Sequence, residues 1–347
     1  MRTIQLLFCL SVTSILFAQQ SYYNNVNLSL TGEALYNELQ EKIDINNTTF
    51  TYGDVRDTML ETDEDPDNSQ NVLLIYGYSN SSCIPQRTRN KQEFGGNSCN
   101  FNREHVFARS NSDPEMGGTS NIYTGIVADP HNLRSSDVQM NGSRGNKKFT
   151  AGSGTAATVN GNWYPGDEWK GDVARMMMYM YTRYGDRCLP SLNGTGALQS
   201  GNSMLQVYLQ WNVEDPVDST FEDQRNNYLE NAYGNRNPFI DNPYLATIIW
   251  GGAPAEDRWG TLGVGNNNEQ SFTIYPNPAT DAIGISLSDN QTNLSVIIYS
   301  VLGKKIKEIP YSKANQTMDV STLTSGIYIL TIESPEKVIT SQKLVIK

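Results

Sequence analysis

Between Gly251 and Gln270 the chain carries Gly251, Gly252, Pro254, Gly260, Gly263, Gly265 and the run Asn266-Asn267-Asn268. A stretch so rich in helix- and strand-breaking residues reads as a linker. The patterns on its two sides differ in kind. Before it, apolar residues recur at helical spacing: Leu35, Leu39 and Ile43 within Thr31 to Ile43, then Trp169, Val173, Met176, Met177, Met180 and Tyr184. Further helices are expected at Ser203 to Trp211, Phe221 to Ala232 and Tyr244 to Trp250. After it the chain alternates like strands, with Ile283, Ile285 and Leu287, then Leu294 to Tyr299, a turn at Val301 to Lys304, Gly326 to Ile332 and Lys343 to Ile346. A chain of 347 residues is also too long for one ordinary core. The expected class is α+β: a mainly helical domain over 19–255, a linker over 256–270, and a small all-β sandwich over 271–347.

The first 18 residues read as a secretory signal. Arg2 supplies the positive start, Ile4 to Phe17 the short apolar stretch, and Leu16-Phe17-Ala18 a small-residue cleavage site before Gln19. The stretch is short for a membrane span, and polar Gln19-Gln20-Ser21 follows it. The mature chain is therefore expected to be exported, soluble and monomeric. Export permits disulfides. Cys83, Cys99 and Cys188 remain after cleavage. A Cys83–Cys99 bridge would brace the loop between them, though the sequence leaves the pairing open; the odd count leaves one thiol over. No C-x-x-C or Cys/His zinc spacing occurs.

Both histidines of the chain lie in one polar block. One is in Asn102-Arg103-Glu104-His105-Val106, the other in Asp129-Pro130-His131-Asn132-Leu133, and Asn141-Gly142-Ser143-Arg144-Gly145-Asn146 follows. Histidine suits proton transfer near neutrality. Glu104 beside His105 puts a hard oxygen ligand next to a base, a pairing that suits metal-assisted hydrolysis of a phosphodiester. The net charge is −11, yet residues 84–148 hold nine basic against six acidic side chains. That is a locally basic region on an acidic body, as for an enzyme that must release a polyanion.

Around this block, Asn71 to Tyr78 reads as a buried strand, 79–102 as a long loop, Val106-Phe107 as a short strand carrying His105, Ile122 to Val127 as another strand, and Ser135 to Gly142 as one or two helical turns. Neighbouring strand residues face opposite ways, so Glu104 and His105 can share an ion only at a strand end or bulge. Arg144 is the first candidate for a phosphate clamp, with Arg103 and Arg109 as further substrate-binding candidates. His131 is read chiefly as a structural hydrogen-bonder, with second base and metal ligand as alternatives. Asn132 and Asn146 are expected to tie the backbone of the block, and Asp172 and Arg175 to brace the helix after Trp169.

The three segments, with Gly171-Asp172-Val173-Ala174-Arg175, Trp211 before Asp215-Pro216-Val217, and Gly234 to Asp241, resemble the endonuclease I family of secreted bacterial nucleases over roughly residues 30–252. That family belongs to the ββα-metal nucleases. The resemblance implies His105 as the general base that activates water. It implies Glu104 and Asn141 as ligands of one divalent ion, usually Mg2+, with Mn2+ or Ca2+ as alternatives, and 5′-phosphate products. The segment Val106 to Ser110 lacks a proline that family members often carry. The last residues resemble the C-terminal sorting domain of the type IX secretion system, on Phe272 to Asp281, Gly303-Lys304, Leu323 to Tyr328 and the basic end at Lys343 to Lys347. This implies a Bacteroidota source, the secretion machinery as a partner, and a secreted or cell-surface product.

The expected function is a largely sequence-nonspecific endonuclease acting on DNA, with RNA as a further substrate. Two alternatives stand beside it: a non-catalytic surface binder that uses the β-domain, and a phosphoesterase of small nucleotides.

Overall fold

The computed structural model describes residues 21–45, 49–80, 83–260, 272–287, 294–300, 304–311, 317–333 and 338–347. The expected signal segment 1–18, residues 261–270 of the expected linker and most of the expected turn at 301–304 lie outside them. The chain divides into two compact units, residues 1–262 and 263–347.

The first unit begins with α1 (Gly32–Ile43), which buries Leu35, Leu39 and Ile43 along one face. Next comes α2 (Tyr52–Thr62), opened by a capping box: the Thr51 hydroxyl accepts from the Asp54 amide at 3.1 Å, and the Asp54 carboxylate accepts from the Thr51 amide at 2.7 Å. Strands β1 (Glu64–Asp65), β2 (Asn68–Leu73) and β3 (Thr88–Asn90) form a small antiparallel sheet. The apolar run after β2 is buried but leaves the ladder at Leu73. Tyr76 takes a left-handed backbone (φ 72°), which turns the chain out of the sheet. The strand expected over Asn71–Tyr78 therefore ends early, and the loop expected over 79–102 contains β3. Cys83 and Cys99 form a disulfide inside that stretch, and Cys188 is free and buried.

Strand β4 (Phe101–His105) pairs antiparallel with β5 (Leu133–Asp137), from Phe101↔Asp137 to His105↔Leu133. Helix α3 (Val138–Arg144) follows β5 at once. The Asp137 carboxylate caps it by accepting from the Gln139 and Met140 amides at 2.8 and 3.0 Å. That cap starts a helix whose own Asn and Gly residues disfavour it. Three expectations are corrected here. His105 closes a strand that precedes Val106-Phe107. Leu133–Asp137 is a strand before the helix begins. Ile122 to Val127 is turn and 3-10 helix, with the 3-10 turn at Gly125–Ala128.

A short hairpin, β6 (Ala157–Val159) and β7 (Asn162–Tyr164), leads to α4 (Lys170–Tyr184). Helix α4 is buried on nearly every side, and its methionines pack in the core rather than forming a binding face. Gly171 has no room for a side chain: a Cβ there would lie 2.2 Å from the Asp215 carbonyl. Asp172 and Arg175 brace the helix through buried ion pairs. Arg175 holds Glu222 with two 2.7 Å hydrogen bonds, and Asp172 accepts from Arg134 at 2.8 Å. The remaining helices are α5 (Pro190–Asn193), α6 (Gln206–Glu214), α7 (Glu222–Tyr233), α8 (Pro238–Asp241) and α9 (Tyr244–Trp250), the last within the expected bounds. Among the described residues, no helix is long and apolar enough to cross a membrane.

The second unit is all β: β8 (Phe272–Tyr275), β9 (Ala282–Leu287), β10 (Leu294–Ser300), β11 (Lys305–Tyr311), β12 (Thr317–Asp319), β13 (Gly326–Glu333) and β14 (Val338–Ile346). They form a three-stranded sheet in the order β12-β9-β8 and a four-stranded sheet in the order β11-β10-β13-β14. Ile274, Ile283 and Ile285 of the first sheet share one core with Val296, Ile298, Leu330, Ile332 and Leu344 of the second. This is the alternating inward face that a sandwich requires.

Candidate active site

The end of β4 and the C-terminal half of α3, with Asn141 and Arg144, line a cleft of about 420 Å³, together with Tyr52, Arg109, Glu115 and Thr119. It holds Glu104, His105 and Asn141, which lie within 37 positions of one another in the chain. The β4–β5 register runs without a break through His105, so the two adjacent side chains share the cleft because His105 is the last residue of its strand. No bulge is involved.

His105 is buried, and its Nε2 donates to the Val127 carbonyl at 2.9 Å. A carbonyl only accepts, so this contact puts the ring proton on Nε2 and leaves the lone pair on Nδ1. The Tyr52 ring stacks on the imidazole at 5.5 Å between centroids and 13° between planes. Burial pushes the His105 pKa down to about 3, and the Arg109, Arg103 and Arg144 guanidiniums add to this against the pull of Val127. The ring is therefore neutral at physiological pH.

The Glu104 side chain is also buried. Its Oε1 accepts from the Tyr76 hydroxyl at 3.1 Å and from Arg144 Nη1 at 3.0 Å. Burial raises its pKa to about 7 while Arg144 and Tyr76 pull it back. Oε2 receives no hydrogen bond from any described residue. Asn141, on α3, donates through Nδ2 to Asn102 Oδ1 at 2.7 Å and to the Arg103 carbonyl at 3.3 Å. Those bonds fix the amide so that Oδ1 is the atom left over.

Among the described residues there is no group of three or more His, Cys, Asp or Glu side chains that could hold a metal ion. The donor set here is one carboxylate oxygen and one amide oxygen on a polar cleft. It fits a hard cation of the magnesium type, which keeps several waters and needs few protein groups.

Arg144 lines the cleft, and its guanidinium is spent on protein partners. Its side chain is fully buried, with Nη1 donating to Glu104 Oε1 and, at 2.9 Å, to the His105 carbonyl; Nη2 donates to the Val106 carbonyl at 2.6 Å. It fastens α3 to the end of β4. Arg103 lies 3.6 Å over the Tyr52 ring and donates to the Tyr52 carbonyl and, at 3.3 Å, to Asn121 Oδ1. Arg109 is half-buried and donates to the Gly117 carbonyl. Both line the cleft.

Asn132 clasps the segment after His105: its Oδ1 accepts from the Phe107 amide at 2.7 Å and its Nδ2 donates to the Phe107 carbonyl at 3.1 Å. Asn146 is exposed on the cleft and donates to the Ser110 hydroxyl at 3.3 Å. His131 lies outside the cleft. Its Nε2 bonds the Asn235 carbonyl at 3.2 Å, its ring packs 4.5 Å from that of Tyr179, and burial lowers its pKa to about 3.

Sequence reasoning did not find Tyr52, Tyr76, Val127 or Asn193. Asn193 donates to the Val106 carbonyl at 2.9 Å and accepts from the Ala108 amide at 3.2 Å. None of the four stands in a recognisable motif. Only Tyr52 carried a signal, directly after the Thr51 cap.

An antiparallel strand pair followed by a helix thus brings an imidazole, a carboxylate and an amide to one polar cleft. The family model of endonuclease I matches residues 31–244, so the chain belongs to the endonuclease I family and is a nuclease. Residues 273–347 match the secretion system C-terminal sorting domain, the type IX sorting domain expected from the sequence, and the protein is secreted or cell-surface. The chain is similar to an extracellular ribonuclease of Bacillus subtilis (strain 168), 40% identical over 245 residues that cover 66% of this chain and 78% of that protein. It is likewise similar to an extracellular ribonuclease of Bacillus amyloliquefaciens, 39% identical over 243 residues covering 67% of this chain and 78% of the relative.

Proposed function

We propose that the protein is a divalent-ion-dependent, sequence-tolerant endonuclease that hydrolyses phosphodiester bonds in both DNA and RNA. The observation that carries this reading is the His105–Val127 hydrogen bond, which leaves Nδ1 as an acceptor at the wall of a cleft that also holds Glu104 and Asn141.

Water attacks a phosphodiester poorly because the ester is anionic and the leaving oxygen is unstable. Nδ1 of His105 takes the proton from the attacking water. An imidazole of pKa about 3 is a weak base, lowered first by burial and further by three guanidiniums; a bound phosphate offsets the guanidiniums' share and raises its basicity. Glu104 Oε2 and Asn141 Oδ1 are the groups that would hold the ion. When bound, the ion would neutralise the charge that develops on the phosphate and leaving oxygens. Arg144 keeps Glu104 in place, and Tyr52 fixes the plane of the His105 ring. Arg103 and Arg109 contribute positive potential at the cleft. The β4–β5 pair and α3 support the ββα-metal reading of this substructure.

Because the nucleophile is water, the 2′-hydroxyl of RNA is not needed. The names of the two relatives favour RNA, DNA is the substrate expected from the sequence, and one water-based mechanism serves both. Products then carry 5′-phosphates and 3′-hydroxyls. The test is cleavage of plasmid DNA, RNA and 2′-O-methyl RNA with and without EDTA. All three are cut with the ion present and none without it. Cleavage of RNA while plasmid DNA and the 2′-O-methyl strand both resist would replace water attack by attack from the sugar.

A further inference from the structure

Glu115 and Thr119 of the segment 115–124 line the active-site cleft. This segment is tied directly to the residues around His105. The Tyr52 amide donates to the Tyr123 carbonyl at 2.7 Å, and the Gly53 amide donates to the Asn121 carbonyl at 2.9 Å. Arg103 bridges Tyr52 and Asn121 from beneath, and Tyr52 stacks on His105. The position of the segment is thus fixed relative to the imidazole by backbone hydrogen bonds.

On this anchored segment, a few residues beyond Thr119 and outside the cleft lining itself, stand two large apolar side chains that the fold leaves in water. Ile122 is 77% exposed and Tyr123 is 47% exposed. The Tyr123 ring lies across Gly118, where a Cβ would come within 2.9 Å of Cε2, so one face of the ring is backed by the loop itself. An exposed Ile-Tyr pair on a rigid edge of a cleft that takes a polyanion calls for a partner with a flat apolar face. Unpaired nucleobases have such faces; the bases of a duplex are hidden in their stack.

We propose that Ile122 and Tyr123 form a stacking lip that seats an unpaired nucleobase next to the cleft and makes single-stranded polynucleotide the preferred substrate. This rests on the nuclease reading of the cleft and adds the element that distinguishes one form of its substrate from another. The scissile phosphate enters among Arg103, Arg109 and His105, while a neighbouring base lies over Tyr123 with Ile122 against its edge. Neither side chain supplies a backbone hydrogen bond, so replacing them leaves the anchoring of the segment intact.

The experiment measures binding of labelled single strands to the full chain in EDTA, where no cleavage is needed for a result. One strand is oligothymidylate, one is oligouridylate and one is an abasic strand of tetrahydrofuran phosphates of equal length. The wild type should bind the two base-bearing strands about tenfold more tightly than the abasic strand, a preference in the range of one stacked base. The combined Ile122→Ser, Tyr123→Ala variant should lose that preference, and Ile122 with Tyr123→Trp should keep it. Equal binding of base-bearing and abasic strands by the wild type overturns the lip, as does a variant that keeps the full preference. Neither outcome depends on His105 or on the ion, so a failure of the lip is separate from a failure of the hydrolytic reading. A second readout in Mg2+ compares single-stranded with duplex DNA: the ratio of kcat/KM values should fall toward one in the combined variant, and an unchanged ratio counts against the lip.

Discussion

Nε2 of His105 donates to the carbonyl of Val127, 22 residues further along the chain, at 2.9 Å. This contact selects the tautomer. With Nε2 protonated, Nδ1 is the only ring atom that can take a proton. Replacing His105 with Ala should therefore lower kcat on plasmid DNA and on RNA by about a hundredfold to ten-thousandfold, the usual contribution of a positioned general base. KM should change little, because Arg103 and Arg109 remain. Near-wild-type turnover in a folded His105→Ala protein would remove the imidazole from the mechanism.

The oxygen-donor pair gives a second prediction. Glu104→Gln removes the charged donor of the pair and Asn141→Ala the amide oxygen. Each should raise the Mg2+ concentration needed for half-maximal activity by at least about tenfold, as loss of a metal ligand or its support does. EDTA should abolish wild-type cleavage, and added Mg2+ or Mn2+ should restore it. A metal titration curve that is unmoved in both variants would place the ion elsewhere.

Arg144 separates a clamp from a brace. Its guanidinium is buried against Glu104 and the His105 and Val106 carbonyls. Truncation takes the cationic donor from a buried carboxylate that keeps only the Tyr76 hydroxyl, and removes a donor from the His105 and Val106 carbonyls. Arg144→Met should cost about 3–5 kcal/mol of stability, the usual penalty for breaking a buried pair from one side. Urea unfolding of the two proteins measures it. A variant of wild-type stability whose only defect is a raised KM would restore the clamp.

The site was legible where the chemistry is local. Glu104 and His105 are adjacent, and Asn141, Arg144 and Asn146 fall within a few residues of one another, so residue type and spacing exposed them. The helix at α4 was legible because its apolar residues repeat over four turns. What stayed hidden depends on contacts between distant segments. Tyr76 reaches Glu104 across 28 positions and Asn193 reaches Val106 across 87. No local pattern encodes such pairs. The buried run at Leu74–Tyr76 looked like a strand because apolarity reports burial, not backbone direction. Arg144 looked like a clamp because arginine in a nuclease motif suggests phosphate, while its burial is set by how α3 packs on β4. Helix α2 was missed because its apolar residues are sparse, though its capping box was present in Thr51 and Asp54.

The second histidine offers a test on stability rather than rate. His131 is buried, bonded to the Asn235 carbonyl, and faces Tyr179, with Asp129, Arg183 and Arg225 as its charged neighbours. Burial holds its pKa at about 3, with Arg225 and Arg183 adding to the depression and Asp129 opposing it. In the unfolded chain the ring titrates near 6.5. Between those values the unfolded state binds one proton more than the folded state. The stability from keeping this ring neutral is present above pH 6.5 and is lost as the pH falls, by at most about 1.4 kcal/mol per pH unit. The buried carboxylates Glu104 and Glu222, whose pKa values are raised, have the opposite sign. Their effect is common to the wild type and to a His131→Gln variant, so the difference between the two isolates the histidine. His131→Gln should be less stable at pH 7.5 and should lose less stability between pH 6.5 and 4.5, so that the two curves converge on acidification. Parallel curves in urea unfolding across that range would mean that His131 is already charged in the folded protein, and Asp129 would then be its ion-pair partner.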